Sequence, residues 1–207
     1  MKTESKKVIL CLGCSGHMGK ELFAKYSNSN LLLINVSRSK KLEIQGVINI
    51  IADITKSIDI LKIKYKIQTI TERVDAIVLG AMFSHHKRLY ELNKAELFYE
   101  FNVNVFAQIE ILKLIDSIYW RGKSFDKSSV FFISSEICET RVDNLFRLSR
   151  SDLESYLITK MCLEYMYNML RGDFINRGIE CNLIRLGDLK SISGINQLKS
   201  LLRLISS

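Results

Sequence analysis

Six short runs of this chain are dominated by apolar residues: KVILCLG (7–13), NLLLINVSR (30–38), GVINIIADIT (46–55), VDAIVLGAM (74–82), SSVFFISS (128–135) and IECNLIRLG (179–187). A strand with one wet face alternates apolar and polar residues, whereas a continuously apolar strand has to be covered on both faces. Segments with helical spacing lie between them. HMGKELFAKYS (17–27) has apolar positions at Met18, Leu22, Phe23 and Tyr26, and a more polar helix is expected over 56–72. Two long helices are expected over 94–120 and 155–178, the second closed by Gly178. Apolar strands alternating with helices specify a parallel sheet with right-handed crossovers. The expected fold class is α/β: a single doubly wound domain over 1–207, with six to seven strands and helices on both faces. No repeat, low-complexity stretch or Gly/Ser linker divides it.

Composition narrows the function classes. Hydrophobic residues make up 47% and charged residues 25%, as in soluble globular proteins. No apolar run reaches the ~18 residues of a membrane helix, and the N-terminal apolar run breaks at Gly13, reading as a strand and not a signal peptide. Five cysteines, an odd number, indicate reduced thiols and a cytoplasmic location. Cys11 and Cys14 form a C-x-x-C, but they straddle a strand and a glycine turn, so buried thiols are expected rather than a redox pair. The net charge of +8 comes from scattered lysines without a basic, aromatic-interleaved stripe. That argues against nucleic acid and for attraction of anionic ligands such as phosphates. His85 and His86 are adjacent and have no partner cluster, so no metal site is assigned.

GCSGHMG places Gly13, Gly16 and Gly19 between the first strand and the first helix. Glycine permits a tight turn and close approach of the backbone to a ligand, and a helix N-terminus offers free N–H groups to a pyrophosphate. In this context the pattern points to a dinucleotide. At the end of the second strand, where an NAD site carries an acid for the adenosine ribose, this chain has Ser37, Arg38, Ser39, Lys40 and Lys41. A guanidinium binds a 2′-phosphate in a forked, charge-assisted contact, so NADP is expected over NAD; the alternative is a solvated basic turn. Asp53 in ADIT is read as a cap or turn residue, or as a partner of the adenine amino group.

SYLITKM sets Tyr156 and Lys160 four apart on a helix, hence on one face. They are either a solvated surface pair or a proton donor and the cation that tunes it. A free phenol titrates near ~10, and a nearby ammonium lowers that value; two pH units correspond to about 2.7 kcal/mol.

Taken in order, GCSGHMG, ADIT, FNVNVFAQ, VFFISS, YLITK and RGIECNLIRLG resemble the short-chain dehydrogenase/reductase family, and the likeness covers nearly the whole chain. The resemblance implies a Rossmann-like oxidoreductase with a catalytic set of Asn104, Ser135, Tyr156 and Lys160. Ser135 would hold the substrate oxygen and Tyr156 would exchange its proton. Lys160 would reach the nicotinamide ribose, and Asn104 would hold a water joining Lys160 to solvent. The cofactor would be held by Gly13, Ser15, Gly16, His17, Met18 and Gly19, by Ser37 and Arg38, by Asp53 and Ile54, by Gly80 and Ala81, and by Gly187 and Leu189, besides Tyr156 and Lys160. The substrate is expected to be a small carbonyl or alcohol, and a homodimer or homotetramer is expected through the two long helices.

The chain departs from the family pattern in four places. Ser135 and Tyr156 are 21 residues apart, and the longer intervening segment carries Arg141, Arg147 and Arg150, which would select an anionic substrate; a solvated helical turn is the plainer reading. Met82 replaces the last glycine of an Asn-Ala-Gly run, and Leu186 precedes Gly187 where the family has proline. After Leu189 and Ser191 the C-terminal segment is short. The substrate-side segments are therefore read as 136–155 and 188–207. Two other functions fit parts of this pattern: a catalytically silent NADP-binding or scaffold protein, and a nucleotide-sugar epimerase or dehydratase, whose usual C-terminal substrate domain has no room here.

Overall fold

The computed structural model describes residues 6–16, 19–20, 30–39, 42–122, 128–139 and 152–187. Six strands form one parallel sheet: β1 (Lys7–Leu12), β2 (Leu31–Ser37), β3 (Val47–Ile51), β4 (Ala76–Leu79), β5 (Ser128–Ser135) and β6 (Ile179–Leu186), in the order β3-β2-β1-β4-β5-β6. Among the described residues the longer helices are α1 (Ser57–Ile70), α2 (94–120) and α3 (Glu154–Asn176). The expected α/β class matches, and each of the six expected runs contains an observed strand, with β3 and β4 shorter than their runs. The helix expected over 17–27 lies outside the described residues apart from Gly19 and Lys20, which are helical. The described residues supply six of the expected six to seven strands, and the whole of 188–207 lies outside them.

The central strands β1, β4 and β5 are buried on both faces, as their composition requires, whereas the edge strands β3 and β6 are mostly half-buried. Ile9, Leu10, Cys11 and Leu12 have no exposed surface. Even-numbered positions of β1, with Ile77, Leu79, Val130 and Phe132, pack with Ile63 of α1, Ile111 and Leu112 of α2 and Leu163 of α3. Ile9, Cys11, Ala76, Val78, Phe131 and Ile133 form the core on the other face. Neighbouring Phe131 and Phe132 thus go to opposite faces, each contributing roughly 1.5–3 kcal/mol by burial.

The third strand ends at Ile51, before the expected residue 55. The local chemistry of Asp53 accounts for this. Its Oδ1 accepts from the N–H and hydroxyl of Thr55 at 3.0 and 2.7 Å, while its own N–H donates to Asp59 Oδ2 at 2.8 Å. An Asx turn of this kind competes with the ladder and turns the chain into α1.

Helix α2 starts with a capping box, Asn93 Oδ1 accepting from Glu96 N–H and Glu96 Oε2 from Asn93 N–H, both at 3.0 Å. Its α-helical segments, Lys94–Phe101 and Ala107–Ile115, alternate with π-helical turns at Asn102–Phe106 and Asp116–Trp120. Helix α3 stops where Gly178, at φ 76°, donates to Ile175 O at 2.9 Å. Among the described residues no helix is long and apolar enough to cross a membrane.

Candidate active site

The chain runs from β1 outward through β2 and β3, then crosses back to β4 on the other side of β1. Parallel sheets open a crevice at such a reversal, outside the carboxyl ends of the strands. Gly13 sits there, at φ 75°, and donates its N–H to Val36 O at 2.9 Å. A Cβ at this position would lie 2.5 Å from Ala81 Cα, so only glycine allows β1 and the exit of β4 to approach this closely. Gly16, by contrast, has open space around it. Ser15 Oγ accepts from Asn35 Nδ2 at 3.1 Å, which ties the turn to β2.

Two clefts open along this edge. The first, about 220 Å³, is lined by Gly13, Ser15 and Gly16 from the turn, Ser37 and Arg38 from β2, Asp53 and Ile54 after β3, Ala81 after β4, and Tyr99 of α2. The second, about 590 Å³, is lined by Gly80, Ser135, Glu136, Tyr156, Lys160 and Gly187. Met82 lines both and is 59% exposed, so the two form one groove with a thioether at the junction. The groove therefore brings together every predicted site residue within the described set except Asn104 and Gly19. His17, Met18 and Leu189 lie outside the described residues, as do Arg141, Arg147 and Arg150.

Gly19 is buried against Cys14, whose carbonyl a Cβ would overlap. Asn104 is fully buried one layer back, in the π-helical turn of α2. Its Oδ1 accepts from Phe83 N–H at 2.7 Å, and its Nδ2 donates to Phe83 O and Thr159 Oγ1, both at 2.9 Å. Both side-chain N–H groups thus hold the β4 exit loop and α3 together. Gln108 reinforces the clamp, donating to Ala81 O at 3.1 Å and Asn104 O at 2.6 Å.

Tyr156 and Lys160 share a face of α3 toward the cleft. Lys160 is 2% exposed; its Nζ donates to Ile133 O at 2.9 Å and lies 5.7 Å from the Tyr156 ring centroid. Burial depresses the Lys160 ammonium from its ordinary 10.5 to about 8. Burial also raises the Tyr156 phenol, and a hydrogen bond with Ser135 brings it only part of the way back. The expectation that the lysine makes this phenol more acidic is thus reversed in the protein alone. Loss of solvent around the phenol is the largest effect and the Ser135 hydrogen bond opposes it only in part, while the Lys160 ammonium is directed at a backbone carbonyl.

One group in this region was not singled out from the sequence. Glu164, one turn beyond Lys160, accepts from Ser134 Oγ at 2.6 Å and from Arg185 Nε and Nη2 at 2.8 and 2.7 Å. This pair locks α3 to β5 and β6 beneath the cleft. Its sequence signal is a charge at the same four-residue spacing, together with an arginine inside an otherwise apolar strand. Cys11 and Cys14 are fully buried, and burial raises the Cys11 thiol well above its ordinary value. Among the described residues no three His, Cys, Asp or Glu side chains gather where they could hold a metal ion.

The sequence matches no protein-family model and no curated protein. Solved structures do match. A metagenomic short-chain oxidoreductase in complex with NADP aligns with TM-score 0.80 and 17% identity, covering 98% of this chain and 92% of that one. An NADH-dependent reductase complexed with NAD aligns with TM-score 0.79 and 14% identity, over 98% and 89%. A short-chain dehydrogenase from Streptomyces avermitilis aligns with TM-score 0.74 and 20% identity, covering 88% of this chain and 66% of its own length. With the 3-2-1-4-5-6 parallel sheet and the groove at its carboxyl edge, these likenesses establish that the chain has the fold of the short-chain dehydrogenases/reductases.

Proposed function

We propose that this chain is an NADP-dependent short-chain dehydrogenase/reductase that interconverts a carbonyl and an alcohol. The observation that carries the reading is the convergence of Ser135, Tyr156 and Lys160 in a cleft that continues past Met82 into the glycine turn. The solved structures with NAD or NADP bound support the cofactor class.

The residues present fit a dinucleotide. Gly13, Ser15 and Gly16, with His17 and Met18 following, would face the pyrophosphate, and Gly19 would let the helix start pack against Cys14. Arg38, beside Ser37, would take the 2′-phosphate, and Asp53 and Ile54 would flank the adenine. Gly80, Ala81, Gly187 and Leu189 would border the rest of the cofactor. The nicotinamide, when bound, supplies the hydride. Ser135 holds the substrate oxygen by a hydrogen bond, and Tyr156 gives it a proton. Lys160 binds the ribose and screens charge developing on Tyr156. Asn104 acts as a positioning residue, through Phe83 and Thr159.

We place the enzyme in the cytoplasm, acting on a small substrate whose anionic group would meet Arg141, Arg147 or Arg150. A homodimer or homotetramer would cover exposed Phe98, Phe106, Tyr165 and Met169 of the long helices. The test combines thermal-shift titration with NADPH and NADH and NADPH consumption across a panel of ketones and aldehydes, repeated with Tyr156→Phe. Turnover that disappears in the variant supports the reading. NADPH binding with no turnover on any carbonyl, or turnover unchanged by the substitution, refutes it.

A further inference from the structure

We infer that Tyr99 and Phe83 position Arg38 for the 2′-phosphate of NADP, which makes Tyr99 a specificity residue for NADP over NAD. This rests on the cofactor reading above and assigns it a supporting layer from α2 and the β4 exit loop.

Arg38 projects from the end of β2 at the rim of the first cleft and is exposed. An exposed arginine visits many rotamers, and fixing it on a phosphate gives up that freedom. Here the side chain already has two partners. Its Nη1 donates to Tyr99 Oη at 2.5 Å, and its Cζ lies 5.8 Å from the centroid of the Phe83 ring. The two rings brace each other edge to face, with centroids 5.1 Å apart at 84°. Both are anchored. Phe83 has its N–H and C=O held by buried Asn104, and Tyr99 belongs to the capped first segment of α2. The platform therefore orders the guanidinium while using one N–H of its five-donor fork. Tyr99 and Phe83 line the same cleft as Ser37, Arg38 and Asp53, so the ordered fork is at the ribose end of the groove.

The test is binding of NADPH and NADH to the full chain carrying Tyr99→Phe, Phe83→Leu, Arg38→Ala, or Tyr99→Phe with Arg38→Ala. Tyr99→Phe keeps the ring and removes only the acceptor. We expect the NADPH Kd to rise about 5- to 10-fold, the size of one ordinary hydrogen bond, and the NADH Kd to stay within about 2-fold. Phe83→Leu should show the same selectivity, and Tyr99→Phe should add nothing once Arg38 is alanine, which a purely structural role of Tyr99 would not produce. If Arg38→Ala abolishes the NADPH preference and Tyr99→Phe leaves it intact, the positioning role is overturned and the cofactor reading stands. Equal weakening of both cofactors by Tyr99→Phe also overturns it, since Tyr99 then touches the shared adenosine. If Arg38→Ala does not change the preference, the NADP assignment of this cleft fails and the positioning role with it.

Discussion

Replacing Lys160 by methionine should stabilise this protein at neutral pH while removing its chemistry, and the gain should vanish in alkali. The native ammonium is almost fully buried, with a pKa of about 8 against an ordinary 10.5. That difference corresponds to about 3 kcal/mol by which folding disfavours the charged form. Lys160→Met removes this cost and nearly conserves the stem, but it leaves Ile133 O without its 2.9 Å donor, a loss of about 1–2 kcal/mol. The net expectation at pH 7 is a gain of about 1–2 kcal/mol, or roughly 2–8 °C in Tm for a chain of this size. As pH rises from about 8 to 10.5 the unfolded lysine keeps its proton and the folded one has lost it. The unfolded state then binds more protons, and the native protein gains stability with pH. The variant lacks that gain, so its advantage should shrink and reverse by about pH 10.5. Tyr156, raised by burial, pulls the opposite way above its ordinary value of 10.0, but it does so in both proteins. Urea unfolding at fixed protein concentration across pH 7–10.5 measures the difference. A difference flat to within about 0.5 kcal/mol over that range would refute a desolvated Lys160.

Tyr156→Phe should lower kcat by about 10²- to 10⁴-fold and leave the NADPH Kd unchanged, which steady-state kinetics and equilibrium titration resolve. Gly13→Ala, at φ 75° with its Cβ against Ala81, should cost at least about 2 kcal/mol in urea unfolding and abolish NADPH binding. Asn104→Ala should cost about 1–3 kcal/mol and weaken NADPH binding by releasing the backbone of Phe83, visible as faster amide exchange in the loop after β4. Burial raises the Glu164 carboxyl, but its bonds with Arg185 and Ser134 more than offset this and hold it below the usual carboxylate range. Its stabilisation is therefore present above the unfolded carboxylate pKa and lost as pH falls through the folded one, and Glu164→Gln should flatten acid unfolding in that window.

What the sequence disclosed and what it withheld follow from the range of each interaction. Tyr156 and Lys160 were legible as a pair because a helix fixes the direction of residues four apart. The strands were legible because cover on both faces of the central sheet leaves runs dominated by apolar residues, without the regular polar alternation of a one-sided strand. The end of β3 was misjudged because Asp53 turns the chain through bonds to Thr55 and Asp59, a choice that local hydrophobicity does not report. Asn104 was named through the family resemblance of FNVNVFAQ, but its partner, a backbone 21 residues away, could not be read from the sequence. Arg38 was read as a phosphate ligand, but its contact with Tyr99 spans 61 residues and depends on how α2 crosses the sheet. The direction of the Tyr156 shift was misjudged for a related reason: the attraction of a cation can be read from spacing, whereas loss of solvent depends on everything packed around the ring.

The π-helical turn at Asn102–Phe106, where Ala107 N–H reaches back five residues to Asn102 O, adds a residue to one revolution of α2. It sets the phase between two halves of a single rod. Upstream, Tyr99 points at the arginine on β2; downstream, Gln108 reaches the loop after β4. Deleting one residue there would turn the upstream half by about 100° and swing Tyr99 off its target, although Tyr99, Arg38 and Gln108 were all still encoded. In this chain, the spacing between two motifs is itself a functional character, and a one-residue indel in FNVNVFAQ is a heavier lesion than most substitutions within it.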